Sequence, residues 1–197
     1  SRMLVRVNHS LKIPDFEHSY VKDFASEKEK NINLLRLCYP ETITKQETIL
    51  DILNEIGCEN KTIIEIAQQC NEYIFNHFTY SKGITNIETT VDEILAMKKG
   101  VCQDFAHVLL QLLRTVGIPS RYVSGYICPN ESGLRGEGAT HAWVEIYTPN
   151  QGWLGIDPTN NIWTMDNHVK LAVGRNFIDC TPVKGTFKGL RSEEHTS

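Results

Sequence analysis

The chain is 197 residues long with 41% hydrophobic content, enough for one well-packed domain. A net charge of -4 with scattered basic residues excludes a nucleic-acid footprint, and no apolar run approaches the ~20 residues of a membrane span. The six cysteines fall at irregular spacings with no C-x-x-C or H-x-x-H pair, so reduced thiols are expected, without a disulfide framework and without a metal site.

Residues 1–44 read as an N-terminal segment of mixed character. Arg2–Val7 alternates weakly, like a strand, and Phe16–Asn33 is polar, with its Ser26–Lys30 charge run on a solvated face. Leu34–Leu37 is a short apolar patch before Pro40. Glu47–Ile56 shows helical spacing on Ile49, Leu50, Leu53 and Ile56 and stops at Gly57. Thr62–Phe78 predicts a longer helix with Ile63, Ile66, Ala67, Cys70, Tyr73, Ile74 and Phe78 inward, opened by a Thr62–Glu65 capping box. Val91–Met97 predicts a third, capped by Thr90 with Glu93 in the partner position. A fourth starts at Cys102: from Phe105 the apolar residues recur at Val108, Leu109, Leu112, Leu113 and Val116, as one buried stripe. Gly117 and Pro119 end it.

Strands are expected at Ser120–Ile127, His141–Tyr147, Trp153–Ile156, His168–Val173 and Val183–Phe187. Helices first and strands second predict an α+β fold, with N-terminal helices packed on an antiparallel sheet. Asn130–Ala139, rich in glycine and charge, is expected to be a mobile loop beside His141 that gates access.

Chemistry concentrates between positions 100 and 160. Cys102 opens its helix and shares the buried face of Phe105. A helix start carries partial positive charge and unpaired N–H groups, suited to an anionic nucleophile or an oxyanion. His141–Tyr147 alternates, Thr148–Gly152 has hairpin-loop composition, and Trp153–Ile156 returns. If Tyr147 pairs with Trp153, Trp143 stands opposite Asp157, and His141 and Asp157 become diagonal neighbours on one face, roughly 7 Å apart at Cα. A one-residue slip would separate them. Taken alone, His141 is a strand histidine and Asp157 a turn residue before Pro158; with Cys102 they form a nucleophile, a base and an orienter. Gln103 offers a backbone N–H near the same place, and Trp143 and Trp153 are candidate indole donors to an oxyanion, though both serve more readily as packing aromatics. His107 falls off the Cys102 face and reads as structural or partly exposed. His9, His18, His77, His168 and His195 have no comparable company.

Four strings carry a family resemblance: Lys99–Ala106 (KGVCQDFA), Gly117–Tyr126 (GIPSRYVSGY), Thr140–Glu145 (THAWVE) and Gly152–Asn160 (GWLGIDPTN). With His168–Arg175 as a following strand, the stretch Lys61–Gly189 resembles the transglutaminase-like superfamily, in particular its bacterial members. The resemblance implies a papain-like α+β core over residues 45–190, with Cys102, His141 and Asp157 as a triad. It implies a β-rich domain before the core, of which residues 1–44 would be a remnant. Arg191–Ser197 reads like the translation of a short sequencing adapter and is expected to be a non-native tail on a truncated reading frame.

The expected activity is thiol-dependent acyl transfer on peptide or glutamine-type amides, with hydrolysis favoured over transamidation and a peptide or protein as partner. No cofactor, nucleic acid or membrane is expected to take part, and the cytoplasm is the default location. No D-x-D-x-D-G calcium loop occurs, which argues against a calcium-activated crosslinker. The alternatives are a catalytically silent binding or scaffold module and, less well supported, a metal-dependent hydrolase.

Overall fold

Capping and apolar spacing decide where the first half of the chain coils. The computed structural model describes residues 18–25, 30–128, 133–136, 139–164 and 166–181. The expected strands at Arg2–Val7 and Val183–Phe187 and the tail Arg191–Ser197 lie outside the described residues. After a short 3-10 turn at Val21–Phe24, helix α1 spans Ile32–Arg36. Asn31 caps it, its Oδ1 accepting the N–H groups of Asn33 at 3.1 Å and Leu34 at 3.4 Å, so the apolar patch becomes a helical turn with Leu34 buried.

Helix α2 (Gln46–Ile56) ends at Gly57 in the left-handed region. Its inner stripe is Ile49, Ile52 and Leu53; Leu50, expected inside, is 45% exposed because it lies about 100° round the helix from Ile49. Helix α3 (Ile63–His77) opens with the expected box: Thr62 Oγ1 accepts the Glu65 N–H and Glu65 Oε2 accepts the Thr62 N–H. Helix α4 (Val91–Met97) is capped in the same way by Thr90 and Glu93. Around α4 the chain forms a parallel bridge that apolar spacing does not announce, strand β1 (Thr79–Tyr80) beside strand β2 (Lys99–Gly100).

Helix α5 (Cys102–Thr115) is the centre of the fold. It packs on the sheet on one side and on α2, α3 and α4 on the other. The single buried stripe is therefore too narrow a reading: Ala106, Leu110, Gln111 and Arg114 are buried as well. The polar pair is satisfied by backbone, Gln111 exchanging hydrogen bonds with the main chain of Glu41 and Arg114 donating to the Ser120 carbonyl.

The sheet contains β3 (Ser120–Ile127), β4 (Thr140–Thr148), β5 (Gly152–Asp157), β6 (Ile162–Trp163) and β7 (His168–Gly174), antiparallel in the order β6-β5-β4-β3-β7. Tyr147 stands opposite Trp153 and Val144 opposite Ile156, the expected hairpin register. Ala142, Val144 and Ile146 enter the core with α5, while Glu145 pairs with Arg121 and Lys170 on the other face. Together these elements form an α+β fold with N-terminal helices on an antiparallel sheet.

Strand β7 joins the far side of β3, with a bulge between Ser124 and Gly125. A Cβ on Gly125 would stand 2.2 Å from the Val169 carbonyl oxygen and 2.5 Å from the Trp143 ring. Gly125→Ala should therefore destabilise the fold by about 2–3 kcal/mol through overpacking against backbone. Urea denaturation checks this, and an unchanged midpoint would contradict the packing described.

Candidate active site

The approach to Cys102 is set by a buried carboxylate. Asp104 Oδ2 accepts the Val101 N–H at 2.8 Å and the Thr85 hydroxyl at 2.7 Å, which holds the first turn of α5 and ties it to the loop between β1 and α4. Gly100 lets that carboxylate in; a Cβ there would be 2.6 Å from Asp104 Oδ2. The sequence signal for this role was available in the position of Asp104, three residues after the N-cap Val101. Cys102 is the first residue of α5 and half-buried, with Gln103 half-buried beside it, both in the turn whose backbone N–H groups lack helical partners.

His141, near the start of β4, is 2% exposed, and Asp157, the last residue of β5, is fully buried. His141 Nε2 donates to Asp157 Oδ2 at 2.8 Å. The Asp157 carboxylate is saturated with donors: Oδ2 also accepts Asn160 Nδ2 at 2.8 Å and His168 Nε2 at 3.3 Å, and Oδ1 accepts the Thr159 N–H at 2.9 Å. The other imidazole nitrogen, Nδ1, closes no hydrogen bond, yet the Cys102 thiol is near enough to act on the ring as a hydrogen-bonding neighbour. The thiol and the imidazole are thus neighbours without a closed hydrogen bond.

Burial works against charge on both members of the pair and is outweighed in both. For Asp157, hydrogen bonds from His141 and His168 hold the carboxyl well below its usual range. For His141, the hydrogen bonds and negative charges of Asp157 and Cys102 push the imidazole up to about 9. A raised histidine contributes stability that is complete below its unfolded value of about 6.5 and is lost as pH rises through the folded value. A depressed carboxyl contributes stability present above about pH 4 and lost as pH falls below it. The melting-temperature advantage of the wild type over His141→Gln should therefore shrink between pH 6.5 and about 9. An advantage constant across that window would contradict the assignment.

The remaining expected site residues divide. Trp143 is buried beside His141, its ring stacked at 6.3 Å, edge-on to His168 at 5.3 Å and laid over Gly125. Trp153 is placed elsewhere: it pairs with Tyr147 and lies under the Arg121 guanidinium at 4.0 Å. Six residues along β4 separate Tyr147 from His141, about 20 Å at strand rise, so Trp153 is not a candidate oxyanion donor. His107 is half-buried; burial lowers its proton affinity, and its Nε2 accepts the Phe177 N–H at 3.3 Å, a structural role.

Contrary to the expectation for His168, it contacts Asp157, and so does Asn160, which sequence spacing does not single out. Asn160 links Asp157 to the loop before β4, its Oδ1 accepting the Arg135 N–H at 2.8 Å and its Nδ2 donating to the Arg135 carbonyl at 3.1 Å. Arg135 rests over the Phe75 ring at 5.0 Å, and a Cβ on Gly136 would stand 2.6 Å from His141 Nδ1. Residues 133–136 of the expected mobile loop are thus anchored against the site. Tyr80 borders it too; burial and the neighbouring Cys102 raise its hydroxyl. Among the described residues, His141, Asp157 and His168 bring three potential ligand atoms within 4.8 Å. In that trio the two histidine Nε2 atoms both contact Asp157 Oδ2. None of the six cysteines is in a disulfide, and no helix among the described residues is long and apolar enough to cross a membrane.

Residues 51–158, a span containing Cys102, His141 and Asp157, match the family model of the transglutaminase-like superfamily. An uncharacterised protein of Mycobacterium tuberculosis is 37% identical over 133 residues, covering 64% of this chain and 42% of that protein. A protein-glutamine gamma-glutamyltransferase of Pseudomonas aeruginosa is 35% identical over 97 residues, 45% of this chain and 14% of the relative. Among solved structures, a candidate cysteine protease of Cytophaga hutchinsonii superposes with a TM-score of 0.60 at 26% identity, covering 76% of this chain and 49% of its own. The chain spans less than half the length of the curated relatives it matches.

Proposed function

The chain belongs to the transglutaminase-like superfamily, and on that premise we propose that it performs thiol-dependent acyl transfer on peptide or glutamine-type amides. Cys102 is the proposed nucleophile, His141 the general base and acid, and Asp157 the orienter. The observation that carries the reading is the buried 2.8 Å contact of His141 Nε2 with Asp157, with the Cys102 thiol as the other neighbour of the ring.

The steps use side chains and backbone alone. The Cys102 sulfur forms a bond to the amide carbonyl carbon with the pair's proton carried on the His141 imidazole. The oxyanion faces the first turn of α5, where the Gln103 N–H is a suitable donor. The carbon–nitrogen bond then breaks and His141 gives its proton to the leaving amine, leaving a thioester on Cys102. Water attacks the thioester as His141 accepts its proton, the carbon–sulfur bond breaks, and the thiol is restored with that proton. An amine in place of water completes a transamidation.

We favour hydrolysis. The candidate cysteine protease of Cytophaga hutchinsonii supports it, while the Pseudomonas gamma-glutamyltransferase speaks for an amine acceptor over a shorter match. Peptide libraries incubated with and without a primary amine separate the two. Free acids formed equally in both conditions support hydrolysis; amine-bearing products in place of acids overturn that preference.

A further inference from the structure

The acyl-transfer steps leave one buried titratable side chain of the cluster without a task. His168 opens β7, at the opposite side of the sheet from β5, and is 3% exposed. Its Nε2 shares Asp157 Oδ2 with His141, at 3.3 Å against 2.8 Å. Its Nδ1 lies 2.9 Å from Asn167 Oδ1, and its ring stands edge-on to Trp143. The lane between the strands is open because Gly125, paired with both His141 and Lys170, has no side chain, and the Trp143 ring fills it.

A carboxylate has about four acceptor sites. Asp157 receives four donors, three of them on Oδ2. A shared oxygen is a weaker acceptor for each donor than an unshared one, and a filled carboxylate cannot rotate without breaking bonds. We propose that His168 is a positioning residue of this site: its Nε2–H on Asp157 Oδ2 fixes the carboxylate and sets how tightly it holds the His141 imidazolium. The inference rests on the acyl-transfer reading for its purpose and on geometry for its substance. The titratable and charged groups facing the cluster are Cys102 from α5, Tyr80 from β1 and Arg135 from the loop before β4; Asn160 and the Thr159 N–H complete the contacts.

Removing the His168 donor leaves Oδ2 to His141 and Asn160. Each remaining bond strengthens, and the imidazolium persists to higher pH. The test is an imidazole NMR titration of His141 in the wild type, His168→Leu and His168→Gln. Cys102 alkylation against pH is followed in parallel by peptide mapping, which separates it from the exposed Cys128. Neither readout needs a substrate. In His168→Leu the His141 midpoint should rise by about half a pH unit, with the alkylation profile moving alike. In His168→Gln, whose amide keeps an N–H donor, both should return toward the wild type. If His168→Leu does not fold, His168→Asn, whose amide stops short of Asp157, carries the same expectation.

A folded variant lacking the donor but with an unmoved or lowered midpoint overturns the proposal. So does a stoichiometric metal, found by elemental analysis, that is lost with His168. A shifted midpoint in a chain that turns over no amide would leave the positioning role standing and remove the acyl-transfer reading.

Discussion

Cys102→Ala is expected to abolish amide turnover while leaving the melting temperature within about 2 °C of the wild type. The thiol is half-buried at the first turn of α5, and its loss removes a sulfur without opening a cavity in the main core. Cys102 is the cysteine that acts on the His141 ring. Burial raises the Cys70 and Cys58 thiols, and neither they nor the exposed Cys128 are neighbours of the His141 ring. Where a covalent nucleophile is removed from a comparable triad the loss is on the order of 10⁶ in rate, so turnover should fall to background. Purified Cys102→Ala with comparable activity would remove the thiol from the mechanism.

Asp157→Asn is expected to lower kcat/KM by about 10²- to 10⁴-fold, by analogy with serine triads. An amide cannot stabilise the imidazolium that a carboxylate does, and it favours the wrong tautomer of His141. The environment adds a second cost. Asp157 faces donors on both oxygens, so an asparagine must turn its NH₂ toward one of them. That mismatch should cost about 1–3 kcal/mol of stability, visible in the melting temperature with folding retained. If Asp157 were only the residue before Pro158 in a turn, asparagine would serve nearly as well, since both suit turns. Near wild-type kcat/KM would reduce the site to a Cys102–His141 dyad.

Much of the fold is legible in the chain because local rules agree with the global structure. Thr62 with Glu65 and Thr90 with Glu93 mark helix starts, and Gly57 and Gly117 mark stops. Pairing Tyr147 with Trp153 settles the whole hairpin, and with it the approach of His141 to Asp157. The same register places Trp153 about 20 Å along the strand from His141, too far to serve the same site.

What local pattern does not carry is the company a strand keeps. His168 meets Asp157 because β7 crosses to the far side of β3, and spacing in sequence says nothing of that crossover. The all-round burial of α5 follows from a layer of helices on its second face, which its own periodicity cannot record. The β1–β2 bridge is two residues long on each side, too short for alternation to show.

Acylation of Cys102 by an amide substrate is tested by acid-quenching the protein after incubation with a peptide library and mapping its cysteines by mass spectrometry. An acyl adduct is expected on the Cys102 peptide, absent from Cys58 and Cys128, abolished in His141→Ala and lost when the folded protein is freed of substrate before the quench. A folded chain whose Cys102 stays unmodified with every amide offered would contradict it, and would leave a transglutaminase-like fold that binds without turnover.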